Sequence, residues 1–142
     1  MNKKLKVQYL IFANKNSSGG GHFYSLAAVD TVVSQFADTL ITQIRFSSIN
    51  VISERENSIF IKLTNRNFLF NISKLISFTK KNKPDVLHAF DHRSLFVAKV
   101  IALFYKVSIL FTKCGGPNGG EFIPFANQYI LFSEENYVHF LK

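Results

Sequence analysis

A chain of 142 residues has the length of one domain, and a composition of 47% hydrophobic and 18% charged residues excludes a disordered tail. The formal net charge of +8 admits nucleic acid, an anionic membrane surface or a phosphorylated ligand as partner. Cys114 is the single cysteine, which excludes an internal disulfide framework and a cysteine-based zinc cluster.

Three early lysines precede the apolar stretch Val7 to Ala13, which Gln8 interrupts and no small-residue cleavage site follows. A buried first strand over Lys6–Asn14 is therefore expected in place of a signal peptide. The loop Lys15–Gly21 leads into a predicted helix over His22–Phe36, where Leu26, Val29, Val33 and Phe36 fall on one stripe. Thr39–Phe46 alternates with β-branched residues and reads as a strand. Ile59–Leu63 is a shorter strand that either pairs as a hairpin or stands alone.

Asn67–Asn82 is predicted helical, with Phe68, Ile72, Leu75, Ile76 and Thr79 on its buried face. Pro84 breaks it, and Asp85–Asp91 follows as a strand. Ser94 reads as the N-cap of a helix over Leu95–Tyr105. Val107–Lys113 is a continuous apolar strand, the Gly/Pro-rich loop Gly115–Pro124 comes next, and strand Gln128–Phe132 precedes a helix over Glu134–Leu141. Apolar strands separated by helices predict an α/β domain with a doubly wound parallel sheet covered on both faces. No run approaches the ~18 apolar residues of a membrane span, so a soluble or peripheral cytoplasmic protein is expected.

Ligands of such sheets bind outside the carboxyl ends of the strands, which directs attention to four loops. The first contains Gly19, Gly20 and Gly21, whose backbone can approach an anion at a helix start. It lacks the glycine that a dinucleotide fingerprint needs where Tyr24 stands, and the Gly-Lys-Ser/Thr of a P-loop where His22 and Phe23 stand. The second places His88, Asp91, His92 and Arg93 at the end of a central strand, as groups that accept protons or hold hydroxyls and phosphates. His88 reads equally as a core histidine and Asp91 as a capping turn residue. The spacing of His88, Asp91 and His92 matches no zinc motif, so no metal is expected. The third loop, Cys114–Gly120, surrounds Pro117 and Asn118 with paired glycines, and Cys114 reads as a buried or loop thiol and not a nucleophile. The fourth is Ser133–Glu134.

The predicted helix over Asn67–Asn82 has a second face, where Phe70, Lys74, Phe78 and Lys81 follow one another. Phenylalanine beside lysine suits contact with anionic lipid headgroups, and equally a face packed on a neighbouring domain. Nucleic acid is not expected, because no Arg-rich run, zinc-finger spacing or RNA-binding aromatic signature occurs.

The order of these motifs resembles the N-terminal domain of GT-B fold glycosyltransferases, family 4 in particular. Gly19-Gly20-Gly21 matches that family's glycine loop, Pro84–Asp91 its PD-hydrophobic-hydrophobic-H-A-x-D segment, and Ile130–Glu134 its strand ending in Ser-Glu. Phe90 departs from the pattern, standing where many members carry a second histidine, with Asp91 and His92 as the nearest substitutes. The resemblance covers essentially the whole chain and implies the following expectations. Residues 1–142 form the acceptor-side Rossmann-like domain of a retaining, metal-free transferase involved in cell-surface polysaccharide assembly. It moves sugar from a nucleotide-sugar donor to a glycan or lipid-linked acceptor, without a cofactor. The C-terminal nucleotide-sugar domain is absent from the chain and is supplied in cis or trans. Gly19, Gly20 and Gly21 would approach the donor diphosphate, and His88, Asp91 and His92 would act at the reacting sugar. His22, Arg93, Gly115, Gly116, Asn118, Ser133 and Glu134 would line the acceptor side. The alternatives are a non-catalytic α/β binding or partner domain, or an inactive fragment of such a transferase. A flavodoxin-like regulatory domain is disfavoured by Asn14 and Lys15 where its acidic cluster would stand.

Overall fold

Each apolar run becomes a strand, and every strand lies parallel to its neighbours. The computed structural model describes residues 4–13, 21–45, 58–62, 68–114 and 125–140. Its elements, in chain order, are β1 (Leu5–Ala13), α1 (Gly21–Val33), β2 (Ala37–Arg45), β3 (Ser58–Lys62), α2 (Phe68–Asn82), β4 (Val86–Ala89), α3 (His92–Ala102), β5 (Ser108–Lys113), β6 (Gln128–Leu131) and α4 (Glu134–Phe140). The sheet order is β3-β2-β1-β4-β5-β6. In register, Tyr9 of β1 faces Ile41 of β2 on one side and His88 of β4 on the other. This is a Rossmann-like α/β domain, as the alternation of apolar strands and helices predicted.

Side chains alternate across the sheet, and so divide the core in two. On one face Leu10, Ile44, Leu87, Ile109 and Phe111 are buried under Ile72 and Leu75 of α2 and Leu95, Ala98 and Ile101 of α3. On the other, Val7, Tyr9, Ile11, Ile41 and Phe90 pack with Leu26 of α1. A strand covered on both sides needs apolar residues on both faces, which is why Tyr9–Phe12 and Ile109–Phe111 run apolar without alternation.

Four expectations need correction. The strand near residue 60 runs parallel to β2, with Ile41 opposite Ser58, and forms no hairpin. Phe36 is not on the buried stripe of α1. The helix ends at Val33, and a turn in which Phe36 N–H donates to the Val33 carbonyl at 3.0 Å swings its ring outward, 72% exposed. The third helix starts at His92 and is capped by Asp91, whose backbone is extended; Ser94 is its third residue, not its N-cap. It also ends at Ala102, past which the Phe104 N–H donates three residues back to the Ile101 carbonyl at 2.9 Å, a tighter turn than the helix's own. The α2 stripe holds, with Ile72, Leu75 and Thr79 buried and Ile76 partly so; the side chain of Phe68 lies outside the described residues.

Lys83 closes α2 in a left-handed conformation, φ 50°, and its N–H donates to the Thr79 carbonyl at 2.9 Å. Glycine takes that position without a Cβ penalty. Lys83→Gly is expected to stabilise the domain by ~0.5–1 kcal/mol, measured as a higher urea midpoint at unchanged slope.

Candidate functional site at the carboxyl edge of the sheet

Because all six strands are parallel, their carboxyl ends share one edge, and the order reverses between β1 and β4. In open α/β sheets such a reversal is where the loops diverge and a ligand crevice is expected. Asp91 spans it. One carboxylate oxygen accepts from the Ser94 N–H at 2.8 Å, and the other accepts from the Phe12 N–H at the end of β1, at 2.9 Å. Ser94 Oγ accepts in turn from the Asp91 N–H at 3.2 Å, which completes a capping box. One side chain thus ties β1 to the start of α3.

His92 and Arg93 form the first turn of α3 at this crevice. His92 is half-buried with its ring 5.5 Å from Phe111, and Arg93 is exposed. At the same edge Gly21 opens α1, and His22 beside it is exposed. Cys114, just past β5, is half-buried, and its pKa is affected by a hydrogen bond with Ser25 of α1 and by the charges of Asp91 and Lys113. Burial, with some help from the Asp91 charge, pushes this thiol up, against the opposing pull of Ser25 and Lys113. It stays protonated at neutral pH, as a packing thiol does.

His88 is placed differently. It is 1% exposed, on the face of β4 turned toward Tyr9 and Phe90. Its ring stacks on Phe90 at 4.2 Å, and Nε2 lies 2.6 Å from Thr112 Oγ1 of β5. Burial lowers its pKa to about 4, so the ring is neutral at physiological pH. Among the described side chains His88 therefore lies beneath the crevice and Asp91, His92 and Arg93 at its rim.

Ser133 and Glu134 sit at the end of β6, where Ser133 Oγ accepts from the Asn136 N–H at 3.2 Å and Glu134 is exposed in the first turn of α4. Gly19, Gly20, Gly115, Gly116 and Asn118 lie outside the described residues. Among the described residues no group of three His, Cys, Asp or Glu side chains converges as a metal-ligand set. On the second face of α2, Phe70, Lys74 and Lys81 are exposed and Phe78 is half-buried, with Lys74 Nζ 4.3 Å above the Phe70 ring.

The reading of Asp91 as a capping residue holds, and what the sequence did not show is its second bond, to the Phe12 N–H. One partner was missed although it left a signal. Thr112, the polar residue in the apolar run Ile109–Thr112, marks a hydroxyl that needs a buried partner.

No family model matches the chain, and no curated protein matches it. Solved structures do. The UDP-GlcNAc 2-epimerase from Methanocaldococcus jannaschii superposes with a TM-score of 0.55 at 14% identity over 76% of this chain. A glycosyltransferase from Rickettsia africae ESF-5 does so with a TM-score of 0.52 at 18% identity over 84% of it. The chain spans 31% of the length of each. At these identities the likeness is one of fold. Among the described residues, no helix is long and apolar enough to cross a membrane.

Proposed function

We propose that this domain is the acceptor-side half of a GT-B, family 4-like sugar-transfer enzyme, moving a sugar from a nucleotide-sugar donor to a glycan or lipid-linked acceptor. The observation that carries the reading is the reversal of strand order between β1 and β4, at whose carboxyl edge α1 starts with Gly21 and His22 and α3 with His92 and Arg93. The fold likeness to one UDP-sugar epimerase and one glycosyltransferase, each over a single part of its length, supports it.

In this reading the backbone N–H groups of Gly19, Gly20 and Gly21 hold charge developing on the departing diphosphate. A second, nucleotide-sugar-binding domain, in cis or trans, closes over them, and the nucleotide sugar is the substrate, with no separate cofactor or metal. His92, the best-placed polar ring at the rim, accepts or donates a hydrogen bond at the reacting sugar. His22, Arg93, Gly115, Gly116, Asn118, Ser133 and Glu134 hold acceptor hydroxyls. Asp91 and His88 act one step back: Asp91 fixes the α3 start against β1, and His88 supports the strand end from below. The setting is the cytoplasmic face of a membrane during polysaccharide assembly.

Titrating the chain with uridine diphosphate tests the donor side. Saturable binding at millimolar concentration is expected, weakened about tenfold or more by Gly20→Val, whose side chain blocks backbone approach. Absence of saturable binding, or binding indifferent to Gly20→Val, overturns the assignment.

A further inference from the structure

The amino ends of the six strands and the carboxyl ends of the helices that precede them form the opposite edge of the domain. Six exposed lysines gather there: Lys4 and Lys6 at the start of β1, Lys80, Lys81 and Lys83 at the end of α2, and Lys106 before β5. The accessible carboxylates on this edge, among the described residues, are Asp38, which pairs with Lys4 at 3.1 Å, and Asp85, which accepts from the Lys6 N–H. The carboxyl edge, by contrast, mixes Asp91, Glu134 and Glu135 with Arg93 and Lys113.

Large apolar side chains project between these lysines. Leu103 is 80% exposed and Phe104 58%, in the turn between α3 and β5, and Tyr105 Oη donating to the Pro84 carbonyl at 3.2 Å holds that turn beside Lys83. Phe36 ahead of β2 and Phe125 ahead of β6 are each 72% exposed on the same edge. The strand order sets them out as a row: Phe36, then Lys4 and Lys6, then Lys83, then Leu103, Phe104 and Lys106, then Phe125. At ~4.8 Å per strand the row from β2 to β6 is roughly 20 Å long. Rows of apolar tips on a monomer's surface mark contact sites.

We infer that this amino edge seats on an anionic lipid bilayer, with Leu103, Phe104, Phe36 and Phe125 entering the headgroup–acyl boundary and the lysines meeting lipid phosphates. The charge is complementary, and leucine and phenylalanine tips find hydrocarbon in a bilayer that a nucleic-acid groove does not offer. The lysines are long point charges that can withdraw their ammonium groups to the interface while the tips insert. The consequence is an orientation. The nine-residue β1 holds the carboxyl edge ~30 Å from the surface, so that edge opens away from the bilayer and, of the two acceptors proposed for it, suits a glycan and not one held at the headgroups. The seating does not depend on the sugar-transfer reading, since no residue of the crevice takes part.

Co-sedimentation of the full chain with vesicles tests this. Binding is expected to vesicles of roughly 70:30 phosphatidylcholine:phosphatidylglycerol and not to phosphatidylcholine alone, with about tenfold weakening when salt rises several-fold. Leu103→Ser/Phe104→Ser and, separately, Lys83→Gln/Lys106→Gln should each weaken it about tenfold or more at unchanged thermal midpoint. Phe70→Ser/Lys74→Gln should leave it unchanged. The inference is overturned if anionic vesicles are not bound, if neutral vesicles bind equally, or if the Leu103/Phe104 variant binds normally. It is also overturned if only the α2 variant loses binding, or if single-stranded RNA binds through the lysines with no dependence on Leu103 and Phe104.

Discussion

Asp91→Ala should destabilise the domain by ~3 kcal/mol. Loss of an aspartate N-cap costs about 1 kcal/mol. The Phe12 N–H, which donates to the second carboxylate oxygen, is then left without that acceptor in a part-buried position, at a further ~1–3 kcal/mol. The two terms act on different elements, β1 and α3, so they add to first order. For a domain of this length the sum corresponds to a thermal midpoint lower by about 10 °C. Asp91→Asn separates them. Its amide oxygen can still cap Ser94 N–H, but its NH2 group then faces the Phe12 N–H donor to donor. An intermediate loss of ~1–2 kcal/mol is expected in urea unfolding. Equal stability of wild type and Asp91→Ala would mean that the carboxylate does not join the two elements.

A second large effect follows from His88. Its folded pKa of about 4 lies below the ordinary histidine value of 6.5, so between those values the unfolded chain binds the proton and the folded chain does not. Its contribution to stability is therefore complete above about pH 6.5 and is lost as pH falls toward 4, by about 3 kcal/mol in all. Wild type should lose that much more stability than His88→Leu over the same pH interval. The comparison removes the carboxylates, which titrate alike in both. At pH 7 the leucine variant should itself be less stable by ~1–2 kcal/mol, because the Thr112 hydroxyl loses its 2.6 Å partner. Parallel pH profiles of the two proteins would contradict a buried, neutral His88.

The parallel fold was legible because a doubly covered strand favours apolar side chains on both faces, and runs such as Ile109–Phe111 announce this directly. The partner of β3 was not legible. A five-residue strand carries too little pattern to distinguish parallel from antiparallel pairing, and its neighbour β2 is set by the whole sheet. Phe36 was misread because helical periodicity continues in the sequence past the point where backbone hydrogen bonding stops. At the site, the strand-end position of Asp91, His92 and Arg93 followed from the sequence alone. The depth of His88 did not, since it depends on Tyr9 and Thr112 from two other strands. Both neighbours are distant in sequence, and a reading of local residues cannot bring them together.

The central claim is that a sugar-nucleotide ligand meets this domain at the crevice between β1 and β4. Amide chemical-shift mapping with UDP-N-acetylglucosamine tests it most directly. Saturable perturbations are expected at Phe12, His22, His92 and Arg93, with the amides of Lys6, Lys83 and Lys106 at the amino edge unmoved. Perturbations confined to the amino edge, or none at saturating ligand, would contradict it.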